Sequence, residues 1–330
     1  MPRHLPVEPF DVDPRRSVRG VLEAMERISF QGRNLGAAFR VWREMLARDA
    51  YVFFGLAGAM VPAGMRKILV FLIENRYIDC LVSTGANLFH DLHESLGRRH
   101  FRVAPTVDDR EMRERGLDRI YDTYAPEAEF IKTDHYVMDF ATTLEPGAPI
   151  RTDRFFALLG EHADREKADD GIVTAAWRCG VPVFCPAIAD SSYGIALSVL
   201  AQKGGPNVLF DLVGDVTETA RLAAENRTGV IYVGGGTPKN FIQQTEVTAA
   251  LSRGDARGHE YAIQITSDAP HWGGLSGCTF EEAQSWGKIA LKAKMVTLHC
   301  DATIALPLLA TGLAQAGVRR KGAKPRRRSR

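Results

Sequence analysis

The chain has 330 residues, room for one large domain or two ordinary ones. Hydrophobic residues make up 45%, enough for a sizeable core and too many for a disordered chain, while no apolar run approaches the ~18–20 residues of a membrane span. The net charge of +2 is unevenly placed: residues 319–330 carry eight Lys or Arg and no acid, leaving a body with 34 basic and 40 acidic residues.

Residues 1–50 read as an arm followed by helices. The first fifteen hold four prolines and show no periodicity or apolar leader segment. Val18, Val21, Leu22 and Met25 then share one helical face, and Leu35, Phe39, Trp42, Met45 and Leu46 share another. From 51 the pattern alternates. A short apolar strand at 51–56 precedes a helix at 62–74, with Pro62 suited to its first turn. A strand at 78–83 leads to a helix at 86–96. Residues 105–165 are more polar and read as an inserted, mostly helical block.

Alternation resumes with a helix at 168–179, a strand at 181–184 and a helix at 193–203. Strands at 208–212, 228–233, 261–266 and 296–300 alternate with helices at 216–226, 238–251, 279–286 and 302–313. Short, fully apolar strands separated by helices specify a central, mostly parallel sheet covered on both faces. The fold class is therefore α/β: one Rossmann-like domain over 51–317, with six or seven strands and an N-terminal helical extension. Residues 318–330 read as a basic, disordered tail, with a weak, salt-sensitive nucleic-acid contact as the lesser reading.

Five cysteines, odd in number and without a Cys-x-x-Cys pair, argue against a disulfide framework or zinc site. They fit a reducing, cytoplasmic setting, and no metal is expected.

In such sheets ligands bind beyond the carboxyl ends of the strands. Val82-Ser83-Thr84-Gly85-Ala86 and Val233-Gly234-Gly235-Gly236 both end a strand and open a helix. Either loop suits a phosphate at a helix N-terminus or a plain tight turn. Asp190 and Asp301 follow strands and precede helices, so each fits an N-cap or a carboxylate reading ribose hydroxyls. Lys288 follows Trp286 and Gly287, with Glu281 and Glu282 just before. An aromatic neighbour disfavours its ammonium form and a carboxylate favours it. A lysine neutral part of the time can capture an imine.

The segment Ser285-Trp286-Gly287-Lys288-Ile289, followed by Cys300-Asp301-Ala302-Thr303, resembles the active-site region of the deoxyhypusine synthase family. The stretches 82–87, 185–192 and 234–240 add to the likeness, in the family's order, and it extends over about 51–313. The resemblance implies an NAD-dependent transferase that moves an aminobutyl group from a polyamine such as spermidine, through an imine on Lys288, to an acceptor amine. The acceptor is a lysine of a translation factor, the hypusine precursor, or putrescine in the homospermidine synthase branch. The resemblance also implies a homotetramer with sites between subunits. It assigns Thr84, Gly85, Ala86, Asp190, Ser267, Asp301 and Ala302 to NAD, together with the backbone of 58–62. It assigns Trp286, Glu282, Asn240, Gly235 and His90 to the amine.

Several positions depart from the family's pattern. A family histidine is Asn240 here and a family glutamate is His90. Family acids correspond to Leu275, Ile195 and Trp272. Asp268, Glu281 and His271 are available to compensate. Two further readings compete with the transferase: a non-catalytic paralogue regulating an active one, and a simple NAD-dependent amine dehydrogenase without transfer.

Overall fold

The computed structural model describes residues 6–104 and 106–320. Two helices lead, α1 (Val18–Met25) and α2 (Phe30–Ala47). The Ser17 hydroxyl caps α1 by accepting from the Gly20 N–H. Helix α2 buries Leu35, Phe39, Trp42, Met45 and Leu46, the face that the sequence spacing selects.

β1 (Tyr51–Leu56), α3 (Arg66–Glu74), β2 (Cys80–Ser83) and α4 (Gly85–Ser95) follow. α3 starts four residues later than expected. The buried Asn87 side chain takes the N–H groups of Met60 and Val61, and Gly64 turns at φ +85°, so 57–65 is a loop.

The block expected to be mostly helical contains a small antiparallel sheet. β3 (Phe101–Arg102), α5 (Asp109–Glu114), β4 (Leu117–Ile120) and β5 (Thr123–Pro126) precede α6 (Glu127–Ala141) and α7 (Thr152–Arg165). The three strands run in the order β3-β5-β4. They are too short and too polar for alternation to show.

Next come α8 (Ile172–Cys179), β6 (Val183–Phe184), α9 (Ser192–Gln202) and α10 (Leu212–Glu225). The strand expected at 208–212 is absent. Phe210 makes one bridge to Ile150, and Asp211 caps α10 by accepting from Gly214 N–H at 2.7 Å. β7 (Thr228–Val233), α11 (Gly236–Arg253), β8 (His259–Thr266), α12 (Phe280–Ser285), β9 (Ile289–His299) and α13 (Ala302–Ala316) complete the chain.

The main sheet has six strands in the order β6-β2-β1-β7-β8-β9, all parallel. Alternate residues feed two cores. Phe54, Ile231 and Ile263 point into the larger one with α2, α3 and α13. Phe53, Val230, Tyr232 and Ala262 point into the smaller one with α10, α11 and α12. Chain order reverses between β1 and β7, which opens a crevice at their carboxyl ends. Among the described residues, no helix is long and apolar enough to cross a membrane.

One buried ion pair ties three helices. Arg66 of α3 donates from Nε to Asp91 Oδ1 of α4 at 2.9 Å and from Nη2 to Ser95 Oγ at 2.7 Å. Asp91 also accepts from Ile172 and Val173 N–H at the start of α8. A Cβ at Gly171 would lie 2.2 Å from Ser95 Oγ, so this junction admits only glycine.

The chain stays anchored past the expected tail boundary. Val318 O accepts from Tyr77 OH, and the Arg320 guanidinium pairs with Asp79 at 2.7 Å and Asp49 at 3.1 Å. Expectations for 321–330 lie outside the described residues.

Candidate active site

All six parallel strands end on one edge, and the loops there carry the residues assigned to a dinucleotide. In spatial order these are Asp190 after β6, Thr84–Ala86 after β2, 58–62 after β1, Ser267 after β8 and Asp301–Ala302 after β9, with the glycine turn Gly234–Gly236, whose Gly235 is assigned to the amine, after β7. Asn87 fastens two of the loops. Its amide donates to Gly58 O at 2.7 Å and Thr84 Oγ1 at 3.1 Å, while its oxygen holds Met60 and Val61.

Gly85 brings the β2 and β6 loops together. A Cβ there would sit 2.3 Å from Ser191 Oγ. Neither Thr84 nor Ser191 caps its helix through a side chain, so the first N–H groups of α4 and α9 stay available to an anion. Gly234 adopts φ +72°, and a Cβ at Gly236 would meet nothing within 4 Å.

The two aspartates separate in role. Asp190 is exposed, Ser191 takes the N-cap position, and no hydrogen bond or ion pair engages the Asp190 carboxylate among the described residues. Asp301 is the N-cap of α13, accepting from Thr303 N–H and Oγ1 at 2.7 Å each. Those bonds hold its carboxyl below the usual carboxylate range.

The lysine segment runs from the carboxyl edge, where Cys278 O meets Lys239, down to the start of β8 at the other end of the sheet. Thr279 caps α12 by accepting from Glu282 N–H, and Gly287 turns the chain at φ +69°. Lys288 O then accepts from His259 N–H, where β8 begins. Eight residues of β8, roughly 25 Å, separate that point from Ser267. The Lys288 ammonium lies 5.2 Å from the Trp286 ring centroid, within cation–π range. Trp286 is 67% exposed, so its ring does not seal the amine from water in the single chain.

The buried lysine is Lys239, 1% exposed. It donates to Gln264 Oε1 at 2.9 Å and Cys278 O at 2.5 Å. Burial pushes its amine down to about 8, the Cys278 and Glu282 charges oppose the shift, and the Lys288 charge adds to it. Glu282, Lys288 and Cys278 thus sit within electrostatic reach of Lys239. Gln264 also donates to Gly234 O and Ser276 O, which locks the glycine turn against 276–278. Gly235 is part of that packing, since a Cβ would lie 2.4 Å from Ser276 Cα. Asn240 follows Lys239 in α11 and is partly buried. His90 lies on α4, hydrogen-bonded to His100.

The structure therefore makes two groups. Thr84, Gly85, Ala86 and Asp190 gather at the carboxyl ends of β2 and β6. Lys288, Trp286 and Glu282 gather with Lys239 beside β8 and β9. Three strands lie between β2 and β9, a lateral gap of roughly 19 Å. A cavity of about 600 Å³ between α6 and α7, lined by Phe140, Leu144, Leu158, His162 and Arg165, touches neither group.

The deoxyhypusine synthase family model matches residues 20–313. The chain belongs to the deoxyhypusine synthase family. It is 51% identical over 312 residues to "Probable deoxyhypusine synthase 2" of Methanosarcina mazei, covering 93% of this chain and 89% of that one. Its identity to the Archaeoglobus fulgidus protein of the same name is 54% over 301 residues, 90% and 97% of the two chains. A "Deoxyhypusine synthase-like protein" of Chlorobaculum tepidum is 38% identical over 303 residues, 90% of this chain and 86% of that one. A crystal structure assigned as a deoxyhypusine synthase from Entamoeba histolytica superposes with a TM-score of 0.64 at 16% identity, covering 97% and 100% of the two chains, and shares the fold.

Within this deoxyhypusine synthase family fold, sequence reasoning missed Asn87, Lys239 and Gln264 as organisers. Asn87 ends the motif stretch 82–87, and Lys239 lies within the stretch 234–240. Gln264 gave a signal of its own, an amide inside an otherwise apolar strand, which burial obliges to find partners.

Asp301 lends itself to a two-variant measurement. Asn caps a helix as well as Asp does, and Ala does not. Asp301→Ala should lose about 0.5–2 kcal/mol of stability in urea unfolding, whereas Asp301→Asn should lose little. If the carboxylate also reads a ribose, both variants should weaken NAD binding by titration calorimetry. Undiminished affinity in the Asn variant would leave Asp301 with the cap alone.

Proposed function

We propose that this protein is an NAD-dependent aminobutyl transferase with Lys288 as the covalent nucleophile. The observation that carries the reading is the placement of Lys288. It is a partly exposed amine over an indole face, with Glu282 nearby, in a chain of the deoxyhypusine synthase family.

The carboxyl-edge loops suit a dinucleotide. Two helices begin there without side-chain caps, Gly85 and Gly234 bring backbone close, and Asp190 is unengaged. Thr84, Gly85 and Ala86 would hold phosphate through N–H groups, and Asp190 and Asp301 would read ribose hydroxyls. Bound NAD supplies the hydride acceptor that the reaction needs.

The protein's own part is to hold and exchange amines. Glu282 and the Trp286 face bind the distal ammonium of the polyamine, the ring contributing about 0.5–2 kcal/mol. Neutral Lys288 Nζ attacks the imine carbon, a new C–N bond forms, and the smaller amine leaves. The acceptor amine then displaces Lys288 in the same way.

The gap between the two groups of residues supports a shared site in a homotetramer. Apolar side chains are exposed beside the lysine group, Trp272 at 75%, Leu275 at 51% and Leu291 at 87%. Light scattering at micromolar concentration should give four chains. A stable monomer would remove the shared site.

Leu275, Ile195 and His90, where the family's pattern has acids, favour an acceptor other than the translation-factor lysine. Incubation with NAD and spermidine, with or without putrescine, should give a small-amine product identifiable by mass. Product formed only when the translation factor is present would restore the protein-lysine acceptor.

A further inference from the structure

The His90–His100 bond belongs to a longer hydrogen-bonded row of side chains on and beside α4. Glu94 Oε1 is 2.8 Å from His100 Nδ1, and His100 Nε2 is 2.9 Å from His90 Nδ1. The His90 and His100 ring centroids are 4.9 Å apart, and Phe130 of α6 closes one side, 5.4 Å from His90. His93 packs 5.2 Å from His100 and bonds Thr133 Oγ1 of α6. The Arg98 charge bears on His93, and Arg98 itself pairs at 3.3 Å with Glu129, which also holds Lys132. Among the described residues, no group of three or more His, Cys, Asp or Glu is arranged to hold a metal ion.

The two ends of the row differ. Among the described residues neither His93 Nε2 nor His90 Nε2 has a hydrogen-bond partner; the first is sealed and the second is not. His90 stands four residues after Ala86 and so shares its helix face, roughly 6 Å along the axis from the uncapped start of α4. Helical side chains lean toward the N-terminus. His90 thus stands one turn from the loop of Thr84–Ala86, on the helix face that Ala86 shares.

We infer that Glu94, His100 and His90 form a proton relay, with His90 Nε2 accepting the proton that the donor amine sheds before hydride removal. The inference rests on the amine-oxidising step and on the shared site proposed above, in which the partner's lysine group brings the amine to α4. With Glu94 ionised, His100 Nδ1–H donates to it, His100 Nε2 accepts from His90 Nδ1–H, and His90 Nε2 presents a lone pair. When the substrate ammonium R–CH2–NH2⁺–R′ gives its proton to His90 Nε2, the Nδ1 proton passes to His100 Nε2. The positive charge comes to rest on His100 beside the Glu94 carboxylate, and the substrate is left as the neutral amine, able to release hydride and become an iminium. Burial and the neighbouring His100 and His93 hold His90 down to about 3, so charge does not rest on His90 itself. Glu94 and His100 are positioning residues, and His90 is the proton acceptor.

The test uses the full chain with NAD and spermidine, reading NADH formation against pH. His90→Ala should lower kcat/KM by roughly 10²-fold. NAD affinity should be unchanged, and added imidazole should restore part of the rate. Glu94→Gln removes the charge that favours the protonated relay, so the acid limb of the profile should move to lower pH. A His90→Ala rate within threefold of wild type overturns the relay. Nitrogen-15 NMR of labelled histidines gives a readout independent of turnover. His90 should be the Nδ1–H tautomer at neutral pH and should change state in Glu94→Gln. An Nε2–H tautomer indifferent to Glu94 overturns the relay. If wild type oxidises no polyamine, the transferase reading falls, and the NMR result alone decides the relay.

Discussion

Replacing Lys288 with arginine should leave a folded, assembled, NAD-binding protein that transfers nothing. Lys288 is partly exposed and sits over the Trp286 ring, so a guanidinium fits the same space and keeps the cation–π contact. It differs in one respect: arginine is effectively never deprotonated, so it cannot attack an imine. Turnover should fall roughly 10³-fold or more. Borohydride added to wild type with NAD and donor amine should place an aminobutyl mass on Lys288.

Lys239 is the rival. Its amine is pushed down to about 8 and so is more often neutral than an ordinary lysine. Yet it is 1% exposed and commits its N–H groups to Gln264 and Cys278, which leaves no approach for an imine carbon. An adduct mapped to Lys239, or wild-type turnover in Lys288→Arg, would overturn the covalent role of Lys288.

Arg66→Ala should be the most damaging single change to stability, at about 3–5 kcal/mol. The loss is larger than that of the Arg66–Asp91 attraction, because it strands a buried carboxylate. Asp91 is 0% exposed and would keep only the N–H groups of Ile172 and Val173. Burial already holds its carboxyl above the usual range despite Arg66, and losing the guanidinium raises it further. A carboxyl raised on folding favours the folded state while protonated and loses that advantage as pH rises through its folded pKa. The deficit of Arg66→Ala should therefore be larger at pH 8 than at pH 5. Urea midpoints at the two pH values measure it. Equal deficits would show that the charge left behind is not the cause.

Much of this was legible in the sequence, for reasons particular to certain segments. β1 and β7 lie at the expected residues because each is a short run rich in β-branched and aromatic residues, buried on both faces and too short for a helix. The carboxyl-edge loops followed, since every parallel strand delivers its loop to one edge. The place of Lys288 was not legible. β9 begins at Ile289, seven residues before the apolar run at 296, because Leu291–Lys294 lie on an edge and need not be buried. The register also slips there: Ile289 pairs with His259, but Lys294 pairs with Tyr261. No periodicity announces such an irregularity. The small antiparallel sheet was missed for a related reason, since two to four polar residues do not establish a period.

The strand order has a consequence for how the chain is made. β1 is central, yet one of its two neighbours is β7, whose first residue Thr228 pairs with Tyr51. At translation speeds of 5–20 residues per second, β1 emerges roughly ten to thirty seconds before its partner. During that interval Val52, Phe54 and Leu56 belong to a strand with one edge open, a template for pairing with another nascent chain. Closing that pair also carries the loop-closure entropy of a long segment, which makes the central sheet slow to complete. The crevice between β1 and β7 is thus among the last features of the fold to exist, and any cofactor it holds can bind only after the sheet has closed.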